Sequence, residues 1–150
     1  MVVEVLEGAA DWRGLPSYGF EEEPWRVRKT NQIESTVEFD QFLEQAIQGY
    51  QDALRLVPAH TKSLMGLAWC YEEKNQMAPA IETYRQAHDA AWREEGSQKS
   101  RAYYSITVES GEALLRLLPP DRASERAELE GHIADINKKP PQLPPAALSD

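Results

Sequence analysis

Three histidines, one cysteine, the acid runs Glu21-Glu22-Glu23 and Glu72-Glu73, and a few serines are the first side chains here to weigh for chemistry. A zinc site on a helix wants ligands one turn apart, as at i and i+4. His60, His88 and His132 offer no such pair. His60 stands where a helix should begin and reads as its polar cap. Cys70 has no second cysteine, so an internal disulfide is excluded. Beside Tyr71 on the apolar side of a helix, it reads as a buried, inert thiol. Glu72-Glu73 and Glu21-Glu22-Glu23 are the residue type for acid–base work. Adjacent acids on a helix diverge by about 100°, so both runs read as solvated charge. Ser105 and Ser110 have no histidine nearby in sequence to act as a base. Gly14, Gly19, Gly49 and Gly66 are too scattered for a phosphate-binding loop. These residues support no enzyme, no metal site and no cofactor.

The overall balance narrows the partners. The 150 residues carry 25 acids against 16 bases, a net charge of −9. Nucleic-acid binders need a basic face to neutralise phosphates, and anionic membranes attract basic segments, so neither partner is expected. No apolar run approaches the roughly 20 residues that span a bilayer. The start, Met1 to Trp12, is acidic and lacks the basic and apolar stretches of a signal peptide. The expectation is a soluble, cytoplasmic protein.

The chain divides into three parts. Residues 1–34 mix Gly, Pro, acids and aromatics, and read as an extended arm whose Trp12, Phe20 and Trp25 dock on the helical body. Residues 139–150 form a proline-rich tail that reads as a terminal linker, although Pro140 to Pro145 also has the PxxP spacing of an SH3 ligand. Between them, residues 35–138 read as helical. Ser35 and Glu38 fit a capping box. Phe39, Phe42, Leu43, Ala46, Ile47, Tyr50, Ala53 and Leu54 then form one apolar stripe, which Pro58 ends. A second helix is predicted from Thr61 to Lys74 with Leu64, Leu67, Ala68 and Tyr71 inward, and Asn75 in the left-handed turn after it. A third begins near Ala78-Pro79, buries Ala80, Ile81, Tyr84, Ala87 and Ala91, and stops before Gly96. A fourth, capped by Ser97 or Ser100, runs to Leu118 and contains Gly111, which costs about 1 kcal/mol unless close packing uses it. A fifth runs from Asp121, its cap, to about Lys138, with Ala123, Ala127, Leu129, Ile133 and Ile136 as apolar positions. Short loops make consecutive helices antiparallel neighbours.

A longer period overlies the helical one. Ala46, Tyr50 and Ala53 recur 34 positions later as Ala80, Tyr84 and Ala87. Such a helix–turn–helix period marks stacked helical repeats. Residues 61–92 resemble a tetratricopeptide repeat: Leu64-x-x-Leu67-Ala68-x-x-Tyr71 in the first helix and Ala80-x-x-x-Tyr84-x-x-Ala87 in the second. The preceding unit offers Ala46, Tyr50 and Ala53, with Pro58 at the closing proline. Trp92 replaces that proline in the better repeat, and residues 97–138 match by architecture alone. The approach Pro24-Trp25-Arg26-Val27-Arg28 is similar to that of uncharacterised bacterial repeat proteins. The resemblance implies an all-α solenoid of antiparallel helix pairs, about two to three repeats and five helices, behind an extended arm.

It also implies a function. Such repeats hold a peptide or partner helix on a concave face lined by each leading helix. Carried onto this sequence, that face is Lys62, Met65, Trp69, Glu72 and Glu73, joined by Arg101 and Tyr104 from the helix after Ser97. Trp69 with Met65 would be the apolar anchor; otherwise Trp69 packs beneath the arm or the next helix. The acids predict a protein or peptide ligand with a basic residue beside an apolar anchor. Met65 and Trp69 stand where carboxylate-gripping members of the family place Lys and Asn. The alternative to an interaction module is a structural segment of a larger assembly, its groove filled by the arm or by a second copy.

Overall fold

The computed structural model describes residues 36–143, and among these the secondary structure is five helices and no strand. The helices are α1 (Thr36–Leu56), α2 (Thr61–Glu73), α3 (Met77–Glu95), α4 (Ile106–Leu117) and α5 (Ala123–Asn137). The capping role of Ser35 and the docking of Trp12, Phe20 and Trp25 lie outside the described residues.

Each helix packs on the next, and the contacts run antiparallel. Lys74 meets Glu44 at 2.6 Å while Tyr71 meets Gln51 at 3.3 Å. Glu95 reaches the start of α4 at Ile106, and His88, two turns earlier, reaches Ser110. Arg126, one turn into α5, donates to Leu115 O near the end of α4. Helices α2 and α4 also touch. The core is one cluster drawn from all the helices, including Leu43, Tyr50, Leu64, Trp69, Tyr84, Leu114 and Leu129.

Local sequence sets several of the joins. Asn75 takes φ 60° after α2; Gln76 N donates to Tyr71 O and Asn75 N to Glu72 O, the paired bonds that close a helix end through a left-handed residue. Of the small residues at the 34-residue spacing, Ala46, Ala80 and Ala87 are at most 1% exposed, whereas Ala53 is only partly buried. Gly66 is used by packing, since a Cβ there would lie inside the Tyr50 ring. Gly111 is likewise covered, by Ile133 and His88.

Two helix starts differ from expectation. Neither Ser97 nor Ser100 caps α4; Ser105 does, its side chain accepting from Val108 N. Residues 96–105 are instead a loop tied to the end of the chain. Arg101 N donates to Pro140 O and Gln142 N to Arg101 O, an isolated bridge. Lys139 Nζ reaches Glu95 O and Gly96 O at 3.2 and 3.0 Å, satisfying carbonyls that the end of α3 leaves without an intrahelical partner. The first residues of the proline-rich tail are therefore a built contact and not a free linker. Asp121 does not cap α5: Arg122 holds that position without a side-chain bond, and Ala123 and Ala127 are exposed.

Candidate functional site

Two seams join successive helix pairs, and each gathers polar side chains. The first runs between α2 and α4. A groove of about 440 Å3 opens there, lined by Trp69, Glu72 and Glu73 from α2 and by Glu109, Glu112, Ala113 and Arg116 from α4. At one end Arg116 pairs with both carboxylate oxygens of Glu72, which also accepts from Tyr84 Oη at 2.9 Å. That carboxylate ties three helices together and is only 15% exposed. It is a structural node, not the solvated acid expected from its place in an acidic run. Glu73, Glu109 and Glu112 make up the rest of the polar lining, so the groove is net acidic.

The sequence-predicted face is only partly assembled. Trp69, Glu72 and Glu73 line the groove. Met65 is 2% exposed and Trp69 5% exposed, and both belong to the core, so neither is the exposed anchor expected of them. The cause is the position of α2, which packs on α1, α3 and α4. Every residue from Ser63 to Cys70 is buried, as for a helix enclosed all round. Lys62 is exposed in the first turn of α2, outside the groove lining. Arg101 holds the end of the chain, with Nε donating to Lys139 O at 3.0 Å. Tyr104 packs partly buried against the core, edge-on to Tyr103. The reason is the ten-residue loop before α4. It starts that helix at Ile106, 45 positions after Thr61, where the repeat would put it 34 later. Glu109, Glu112 and Arg116 occupy the face that Arg101 and Tyr104 were expected to share. Counting the apolar stripe of α4 back from Pro119 would have found them.

The second seam lies between α3 and α5, over α4. His88, buried at 2% exposure, has Nδ1 3.1 Å from Thr107 O and 3.0 Å from Ser110 Oγ. Its Nε2 is 2.9 Å from His132 Nδ1. Ser110 gives its own proton to Ile106 O at 2.6 Å. A carbonyl only accepts, so His88 Nδ1 must donate and His88 Nε2 must accept from His132. Burial, first, and the neighbouring His132 hold the His88 pKa below its ordinary 6.5. The His132 ring stacks on Trp92 with centroids 3.9 Å apart. Sequence separation hid this serine–histidine pair. Its polarity is wrong for nucleophilic catalysis, because the histidine donates to the hydroxyl it would need to deprotonate. Ser110 is also fully buried. Thr107 Oγ1, in the same layer, has no hydrogen-bond partner among the described residues.

The remaining chemistry-bearing groups are structural. His60 caps α2, accepting from Ser63 N at 3.3 Å. Cys70 is fully buried, and burial pushes its thiol up to about 12, leaving no thiolate at neutral pH. Among the described residues no group of three His, Cys, Asp or Glu side chains is placed to hold a metal ion, and no helix is long and apolar enough to cross a membrane. Compared with protein-family models, curated proteins and solved structures, the chain returns no match.

Proposed function

We propose that this chain is a non-catalytic interaction module of the tetratricopeptide type, holding a peptide or partner helix in the groove between α2 and α4. The observation that carries the reading is the groove itself: an indole edge set among Glu73, Glu109 and Glu112, on the two helices that lead successive pairs. The repeat reading is supported by Tyr50 and Tyr84, 34 positions apart and each 1% exposed, and by the alanines buried beside them. A ligand with an arginine or lysine beside an apolar side chain suits this lining. Charge would set selectivity and on-rate, and the slightly exposed Trp69 would add a small apolar contact.

The test is fluorescence anisotropy with a labelled decapeptide in which one tryptophan is flanked by arginines. Glu109→Lys with Glu112→Lys, which leaves the Glu72–Arg116 pair intact, should weaken binding about tenfold at low salt and less as ionic strength rises. Equal binding by the natural chain and this variant rejects the groove.

A further inference from the structure

The groove has a candidate ligand in its own chain. Residues 1–35 contain four basic residues, and three of them fall within the run Pro24-Trp25-Arg26-Val27-Arg28-Lys29. That run is an aromatic followed by alternating cations, the chemistry that the carboxylates around Trp69 would recognise. In an extended chain Arg26 and Arg28 fall on one side and Trp25, Val27 and Lys29 on the other, so two cations can face the groove's carboxylates together.

Chain geometry puts this run within reach of the groove. Helix α1 antiparallels α2, and Glu44 contacts Lys74, one residue beyond the end of α2 where Glu72 and Glu73 lie. Thr36 begins α1 only eight residues before Glu44, a distance of about 12 Å along a helix. The seven residue steps from Thr36 back to Lys29 span up to roughly 23 Å, and Arg26 reaches further. The end of the groove that Glu73 marks is therefore within reach of this segment. A second copy is the weaker occupant. Each chain carries −9, so two copies repel, whereas a tethered segment acts at an effective concentration on the order of millimolar.

We infer that residues 24–29 of the chain occupy the α2–α4 groove, with their cations against Glu73, Glu109 and Glu112, and that an outside peptide must displace them. The inference deepens the proposed function and rests on the groove as the binding surface. A masked groove lowers the apparent affinity for an outside peptide by the fraction of time it is open.

The experiment uses the full chain with Glu23→Cys carrying a nitroxide; Cys70, buried, stays unlabelled. Paramagnetic broadening of the amide signals of Glu109, Glu112 and Ala113, abolished by Arg26→Glu with Arg28→Glu and Lys29→Glu, is the result expected. No broadening at those positions overturns the inference. So does broadening seen only when nitroxide-labelled chain is mixed with separate isotope-labelled chain, which would make the occupant a second copy. The tryptophan–arginine decapeptide should bind the triple variant about tenfold tighter than the natural chain. Equal affinity overturns the masking and leaves the binding groove standing. Broadening as expected, with no peptide binding even to the triple variant, keeps the segment in the groove and sinks the interaction module instead.

Discussion

The two seams are built alike and finished differently. At each, helices from successive pairs run side by side in the same direction: Trp69 to Glu73 along Glu109 to Arg116, and Arg85 to Trp92 along Glu125 to His132. Between α3 and α5 the polar groups are matched, except for the buried Thr107 Oγ1 beneath them. Arg85 bonds Glu125 at 2.8 Å and Glu82 at 3.3 Å, the two histidines bond each other, and Trp92 covers the outer ring. Between α2 and α4 the lining holds one guanidinium and four carboxylates. The α3–α5 seam spends most of its charge and ring nitrogens on itself. The α2–α4 seam holds more carboxylates than guanidinium groups around an open groove, and it is the binding surface proposed above.

The comparison can be broken most forcefully at Trp69. As a core residue that only edges the groove, Trp69→Ala should lose about 3–5 kcal/mol in denaturant unfolding. A loss below about 1 kcal/mol would return it to the surface and make the groove apolar rather than acidic. Two glycines give the next largest contrast. Gly66→Ala must displace the Tyr50 ring and should destabilise by roughly 1–3 kcal/mol, against a helix-propensity gain of about 1. Gly111→Ala meets chiefly the flexible end of Ile133, so overpacking and propensity should nearly cancel. Matching melting shifts for the two variants would mean that neither helix crossing is as close as described.

Proton titration separates the seams further. Burial and His132 depress His88 in the folded protein, whereas Asp89, Glu128 and the bond to Thr107 O act in the opposite sense. The unfolded chain thus binds the proton more readily, and stability should fall as pH drops below about 6.5. Protonation would set an N–H at His88 Nε2 against the one donated by His132. Urea midpoints from pH 8 to 5 should show the fall in the natural chain and a flatter profile in His88→Gln; parallel profiles would remove the histidine pair from the stability of this seam. The smallest effect belongs to Arg116→Gln. Arg116 is 49% exposed, so its loss should cost under about 1 kcal/mol. It should at the same time tighten binding of the arginine-flanked decapeptide, because the groove becomes more negative. Weaker binding would make Arg116 a ligand contact.

The bounds of the first three helices were legible almost to the residue, since α1 and α3 each carry one buried stripe and short, strongly marked turns at Pro58 and Asn75 delimit α2. Residues 96–105 obscured the fourth. A serine at 97 or 100 satisfies the rule for a helix cap as well as Ser105 does. The deciding contact is tertiary: the Glu95 carboxylate, which bonds Ser105 Oγ and Ile106 N. The groove was half legible for the same reason, its α2 side lying where the 34-residue spacing predicted and its α4 side displaced by the loop. Met65 and Trp69 escape the pattern because a helix enclosed on several sides has no exposed stripe for periodicity to find. The contact between His88 and His132, 44 positions apart, leaves no local trace.

The bond from Lys139 to the end of α3 bears on how the molecule opens. Stacked helix pairs ordinarily fray from their last member, because it has a neighbour on one side only. Here the residues just after α5 are fastened to the carbonyls of α3 and to Arg101 in the loop between. Peeling α5 away therefore requires releasing a ring of chain that spans residues 95–139. The last two pairs should open as one cooperative unit, with amide hydrogens in α5 exchanging at the rate of those in α3, until Lys139→Ala lets the end come loose.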